Sequence, residues 1–179
     1  MDCLAAILIV DDKPDVHQAI RLALEPHVAR IDSTLSPDEV DTMVGAARYD
    51  CVLLDMNFAA GERSGREGLD ALARIRAIDP EVAILFMTAF GAVSLAVESL
   101  KRGADDFLLK PWRNDALVAA VRAAAARTAA ARQGATLDGM ERLAIDRALD
   151  RNDGNIARTA ASLGVSRPAL YRRMAKHGL

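Results

Sequence analysis

Four short apolar runs in the first 110 residues end on five polar side chains. ILIV runs into Asp11 and Asp12, CVLL into Asp55, VAILFM into Thr88 and FLL into Lys110. The stretches between these runs carry helical periodicity. Strand-length apolar runs alternating with helices predict a parallel sheet covered on both faces. Strand C-terminal ends share one edge in such a sheet, and ligands bind there. The five polar residues can therefore meet in one pocket.

The spacing places strands at Ala5–Val10, about Val28–Ile31, Cys51–Leu54, Val82–Met87 and about Asp106–Leu109. A helix follows Pro14, a residue tolerated in a first turn, and ends near Pro26. A second starts at the capping signal Ser36-Pro37-Asp38-Glu39 and ends near Gly45. A polar, glycine-bearing loop from Asn57 to Arg66 leads into a third, which stops before Asp79-Pro80. A fourth covers about Ala92–Arg102, with Gly103 at its C′ position. A fifth runs from near Asn114 to about Arg132. Its Ala-rich part is helical on propensity, with a thin apolar stripe of Leu117, Val121, Ala124 and Thr128. Gln133-Gly134-Ala135-Thr136 reads as a linker.

Charge divides the chain at the same place. Residues 139–179 carry eight basic and four acidic side chains, a net +4, whereas residues 1–138 carry −6. An acidic body with a basic tail points to two domains, the second facing a polyanion. The expected layout is a first domain at 1–127, an Ala-rich helical extension and linker at 128–137, and a small all-α domain at 138–179. No apolar run approaches a membrane span, and acidic Asp2 stands where a signal peptide would be basic, so a cytoplasmic protein is expected. Cys3 and Cys51 form no CxxC pair and read as small buried hydrophobes. His17, His27 and His177 lack ligand spacing and read as surface or structural residues.

Three carboxylates at one sheet edge repel unless a cation joins them. Mg²⁺ suits them, because it takes oxygen ligands and needs only one or two carboxylates plus phosphate oxygens. Lys110 offers a point charge to a phosphoryl oxygen and Thr88 a hydroxyl. Asp55 ends the central strand and is the plausible nucleophile. Pro111 after Lys110 allows a cis peptide bond.

With these positions in place, residues 5–127 resemble the receiver domain of two-component response regulators. The resemblance implies a (βα)5 doubly wound fold and phosphoryl transfer from a histidine kinase to aspartate. It makes Asp55 the phosphoacceptor. Asp11 and Asp12 become the acidic Mg²⁺ pair, joined by Asp55 and by the backbone carbonyl of Asn57. Thr88 and Lys110 contact the phosphoryl group, Ala89 leaves the pocket open, and Phe107 matches the switch aromatic. The spacing of Asn57 and Phe90, two residues past Asp55 and Thr88, suggests that they set the lifetime of the phosphoryl group.

The tail reads as three helices, about Asp138–Arg151, about Asn155–Leu163 and a third capped by Ser166. Gly164-Val165 makes the turn before the third, in which Leu170 and Met174 form a buried pair. Helix, glycine-bearing turn, helix is the helix-turn-helix layout. Arg167, Ala169 and Arg172 are the expected base readers. Ser166, Tyr171, Arg173 and Lys176 are the expected phosphate contacts. GNIARTAASLGVSRPALYRRMAKHGL resembles the Fis-type helix-turn-helix domain of nitrogen-regulator-type response regulators, and DMNF, TAFG and KPW resemble their receivers.

Those activators carry an ATPase domain between the two parts, with a GxxxxGKS/T loop that this chain lacks. The layout is instead similar to short redox-responsive regulators that join a receiver directly to such a domain, although their proline-rich hinge is replaced here by alanines. The expectation is a phosphorylation-dependent DNA-binding transcription regulator, not an enzyme, dimeric at least when phosphorylated. Its partners are a histidine kinase and double-stranded DNA. The rivals are a constitutive DNA-architectural protein and a Mg²⁺-dependent aspartyl phosphatase. The phosphatase wants an acid two residues after its nucleophile, where this chain has Asn57.

Overall fold

A computed structural model describes residues 5–58, 65–89 and 99–179, with Ala89 described by its backbone alone. The chain divides into two compact units, Met1–Ala129 and Ala130–Leu179.

In the first unit β1 (Ala6–Val10), β2 (Arg30–Thr34), β3 (Cys51–Asp55), β4 (Ala83–Ala89) and β5 (Asp106–Lys110) form one parallel sheet. Its order is β2-β1-β3-β4-β5. Helices α1 (Pro14–Leu24), α2 (Val40–Ala46), α3 (Arg66–Ile78) and, as far as Ala129, α4 (Asn114–Ala135) accompany it. Strand side chains alternate between faces, so each apolar run feeds two cores. Leu8, Val10, Val52, Leu54, Ile84 and Phe86 pack with Val40 and Val44 of α2 and with Leu69, Leu72 and Ile75 of α3. Ile7, Ile9, Leu53, Leu85 and Met87 pack with Ile20 and Leu24 of α1 and with Leu117 and Val121 of α4. Burial on both faces is why these strands read as near-continuous apolar runs.

The edge strand β2 departs from the sequence reading. It begins at Arg30 and continues through Asp32, Ser33 and Thr34, later than the apolar Val28–Ile31. An edge strand pairs on one side only, so it tolerates polar residues that disguise it. Ser36 caps as expected, its Oγ accepting from Asp38 N at 3.2 Å, but Pro37–Glu39 form a 3₁₀ turn before α2. Of the expected fourth helix, residues 92–98 lie outside the described residues, as does Phe90 before it, and 99–101 are helical. Gly103 ends it with φ +98°, and Ala104 N and Gly103 N donate to Ser99 O and Leu100 O. This double closure needs a left-handed residue at C′, which glycine adopts without a Cβ clash. The Lys110–Pro111 peptide bond is cis.

The α4 helix runs on through Gln133-Gly134 to Ala135. Alanine propensity carries it past the expected end, and one glycine costs only about 1 kcal/mol. Leu117, Val121, Ala124 and Thr128 form its buried stripe. Thr128 is fully buried: its Oγ1 accepts from Ala83 N at 2.8 Å and donates to Asp50 O at 2.6 Å. A single hydroxyl thus ties the helix to the backbone at the starts of β3 and β4.

In the second unit α5 (Leu137–Arg151), α6 (Ile156–Ser162) and α7 (Arg167–His177) enclose a small core. Ile145, Ala160 and Leu170 are buried in it, with Leu149, Ile156, Leu163, Val165 and Met174 packed around them. Each helix begins with a side-chain cap. Thr136 accepts from Gly139 N, Asn155 from Ala157 N and Arg158 N, and Ser166 from Ala169 N. Each cap satisfies donors that the first helical turn leaves unpaired. Gly164, at φ +66°, reverses the chain between α6 and α7.

Candidate phosphoacceptor site and nucleic-acid interface

Parallel pairing brings the predicted residues to one sheet edge. Asp55 is the last residue of β3, opposite Met87 of β4, and Thr88 follows on β4. Lys110 ends β5 opposite Ala89. Asp11 follows β1, and its N–H donates to Thr34 O at 3.3 Å. The site lies where strand order reverses around β1 and β3, the switch point at which such sheets bind ligands.

Lys110 is the hub. Its Nζ donates to Asp11 Oδ2 at 2.6 Å and to Asp55 Oδ1 at 2.5 Å. Asp55 Oδ2 accepts from Asn57 N at 3.1 Å, and Asp11 Oδ1 from Lys13 N at 3.0 Å. Asp11, Asp55 and Thr88 are all buried. Burial raises the Asp55 pKa above its ordinary value, against the lowering pull of the Lys110 contact and the Asn57 N–H. Burial also opposes the Lys110 charge, but the bonds to Asp11 and Asp55 outweigh it and hold that pKa above the usual lysine value.

At this sheet edge two buried atoms have no hydrogen-bond partner among the described residues, Asp12 Oδ1 and Thr88 Oγ1. An unpaired buried polar atom is costly and calls for a missing ion or ligand group. One is a carboxylate oxygen suited to a hard cation, and the other is a hydroxyl suited to a phosphoryl oxygen. Asp12, Asp11, Asp55 and the Asn57 carbonyl are an all-oxygen donor set, the kind that Mg²⁺ takes.

The remaining nominees occupy definite places. Phe107 is half-buried against the core on the α2–α3 side. The side chain of Ala89, like all of Phe90, lies outside the described residues. The Asn57 side chain is engaged, its Oδ1 accepting from Gly65 N at 3.0 Å. His17 is buried with Nε2 donating to Asp11 O at 2.7 Å, a structural role. Cys51 is buried, which pushes its thiol pKa up, and Cys3 lies outside the described residues.

Sequence reasoning missed Gly68. A Cβ there would stand 2.8 Å from Met56 O and 2.9 Å from Asp55 O. The bare glycine lets α3 lie against the backbone that carries Asp55. A glycine inside a helical pattern was the available signal, because such a residue usually has a packing reason.

The second unit presents an exposed α7 face. Arg167, Tyr171 and Arg172 are exposed, Ala169 is half-exposed, and the Ser166 hydroxyl serves as the helix cap. Arg158 on α6 is also exposed. Arg173 and Lys176 are paired with carboxylates of α5.

Residues 7–122 match the model of the response regulator receiver domain family. The chain belongs to that family. Residues 136–177 match a second model, that of bacterial regulatory proteins of the Fis family. The response regulator protein PilR of Pseudomonas aeruginosa is 29% identical over 163 residues, covering 89% of this chain and 35% of that protein. The crystal structure of the N-terminal signal receiver domain of a two-component response regulator from Bacteroides fragilis is 35% identical. It has a TM-score of 0.62 and covers 69% of this chain and 98% of that one. The structure of NtrX from Brucella abortus reaches a TM-score of 0.66 at 25% identity, covering 81% of this chain and 34% of that one. The chain spans about a quarter to a half of the length of the curated relatives it matches. Among the described residues of this response regulator, no helix is long and apolar enough to cross a membrane.

Proposed function

We propose that this response regulator is a phosphorylation-dependent, DNA-binding transcription regulator of a two-component system, with Asp55 accepting the phosphoryl group from a histidine kinase. The reading rests chiefly on Asp55. Its carboxylate is held by Lys110 and the Asn57 N–H, beside the unpartnered Asp12 Oδ1 and Thr88 Oγ1.

In the transfer, an Asp55 oxygen attacks phosphorus as the P–N bond to the kinase imidazole breaks, and the electron pair leaves with nitrogen. Lys110 turns its charge towards a phosphoryl oxygen, and the Thr88 hydroxyl donates to another. Asp11, Asp12, Asp55 and the Asn57 carbonyl would hold Mg²⁺, which supplies positive charge against the transferring group. Once Asp55 is phosphorylated, Thr88 and Phe107 shift together as the switch pair. Asn57 contributes to the lifetime of the phosphoryl group. An amide cannot serve as the general acid of an aspartyl phosphatase, which favours a stored signal over turnover.

The output is DNA binding by residues 138–179, joined to a receiver at 1–127 through the Ala-rich stretch 128–137. Arg167, Ala169 and Arg172 read base edges in the major groove. Ser166, Tyr171, Arg173 and Lys176 approach phosphates. A homodimer would place two such helices on half-sites about one helical turn apart. The setting is cytoplasmic.

Intact-mass measurement after incubation with acetyl phosphate and Mg²⁺ tests the reading. The wild type should gain one phosphoryl group, Asp55→Ala none, and phosphorylation should tighten DNA binding. A wild type that takes up no phosphoryl group would sink it.

A further inference from the structure

Two of the cations nominated for DNA phosphates are already in use within the second unit. Arg173 Nε lies 3.0 Å from Glu141 Oε1. Lys176 Nζ donates to Asp138 Oδ1 and stands 3.4 Å from Glu141 Oε2. His177 Nε2 lies 3.0 Å from the same Glu141 oxygen. The carboxylates sit three residues apart in the first turns of α5, and Arg173 and Lys176 sit three apart on α7. Residues at that spacing share one helix face, so two short ladders of opposite charge meet. Arg158, Arg167 and Arg172 form no ion pair among the described residues.

We propose that Asp138 and Glu141 stand in for DNA phosphates in the free chain, competing with the backbone for Arg173 and Lys176 and so lowering DNA affinity and its salt dependence. This rests on the DNA-binding reading above.

The exchange is physically cheap. The side chains are 44% and 51% exposed for Arg173 and Lys176, and 29% and 66% for Glu141 and Asp138. Such surface pairs are weak and open readily. The carboxylates stay ionised at neutral pH. The Lys176 contact lowers the Asp138 pKa, and the His177 contact, followed by Lys176, lowers that of Glu141. When α7 meets DNA, each displaced carboxylate either takes up a solution cation or faces a phosphate of like charge. The first offsets counterions released from the duplex, and the second weakens the complex.

Glu141→Gln and Asp138→Asn variants of the full chain test the competition on a random-sequence duplex across a salt series. Asp150→Asn serves as a charge-matched control, since Asp150 forms no ion pair among the described residues. Each test variant should bind about two- to fivefold more tightly. The slope of log K against log salt should steepen by up to about 1 per freed cation. Asp150→Asn should show a smaller gain and an unchanged slope. Unchanged or weaker binding with a retained melting temperature would overturn the proposal, by making the pairs neutral or a positioning staple for α7. A gain equal to that of Asp150→Asn would also overturn it, since net charge alone would then account for the effect. A wild type that binds no duplex at low salt is a different failure, that of the DNA-binding reading itself.

Discussion

Lys110 Nζ reaches Asp55 Oδ1 across 2.5 Å, joining the ends of two strands from residues 55 positions apart. The same ammonium also holds Asp11 at 2.6 Å. Asp12, the next residue after Asp11, makes no contact with that lysine, so three carboxylates stand at this edge to one ammonium and the edge is short of positive charge. That shortage shapes how the protein should answer to mutation, pH and Mg²⁺.

Lys110→Ala should destabilise the Mg²⁺-free protein by roughly 1–3 kcal/mol, because buried carboxylates lose their only compensating charge among the described residues. The lysine pKa is raised in the fold, so its contribution is complete at neutral pH and is lost only as pH rises through that raised value. Added Mg²⁺ should lift the melting temperature of the variant more than that of the wild type. Equal Mg²⁺ gains in the two proteins would contradict this account of the pocket.

Asp55→Asn should do the opposite. The folded-state pKa of Asp55 lies above its ordinary value, so protonation favours the fold, and that contribution is lost as pH rises through the folded value. Above that folded value the ionised side chain is a cost that asparagine removes. We expect about 1 kcal/mol of stabilisation without Mg²⁺, a rise of roughly 2–4 °C in melting temperature. The advantage should shrink as pH falls through the Asp55 titration, and thermal melts of both proteins across that range would reveal it.

Thr88→Val should separate stability from function. The hydroxyl is buried with no described partner, and valine keeps the shape without the polar atom. Removing such an atom should stabilise the unphosphorylated protein by about 1 kcal/mol. Phosphoryl uptake by Asp55 should slow, since a donor to the transferred group is gone. A variant both less stable and fully competent in uptake would argue against the assigned role.

Thr128→Val should cost about 1–3 kcal/mol, because Ala83 N–H and Asp50 C=O lose a buried partner. Thr128→Ser should recover most of that loss. Urea denaturation of the three proteins would show the order.

The periodicity of residues 5–127 was enough to place the strands that carry Asp11, Asp55, Thr88 and Lys110, because central strands buried on both faces must read as apolar runs. Their polar ends could then be named before any contact was known. The cap Ser166 and the turn at Gly164 were legible for a similar reason, since a helix start and a left-handed turn each accept few residue types. The edge strand β2 was misplaced because single-sided pairing leaves a weak apolar signature.

Other features belong to the tertiary structure alone. No local pattern tells which carboxylates Lys110 will hold, that Gly68 must let α3 touch the Asp55 backbone, or that Thr128 ties α4 to β3 and β4. Nor does charge composition reveal that Arg173 and Lys176 are paired with Glu141 and Asp138. Sequence determines which groups stand at the ends and faces of elements, through backbone periodicity and burial. Their partners are decided by packing between distant elements, where a few ångströms separate a free charge from a paired one.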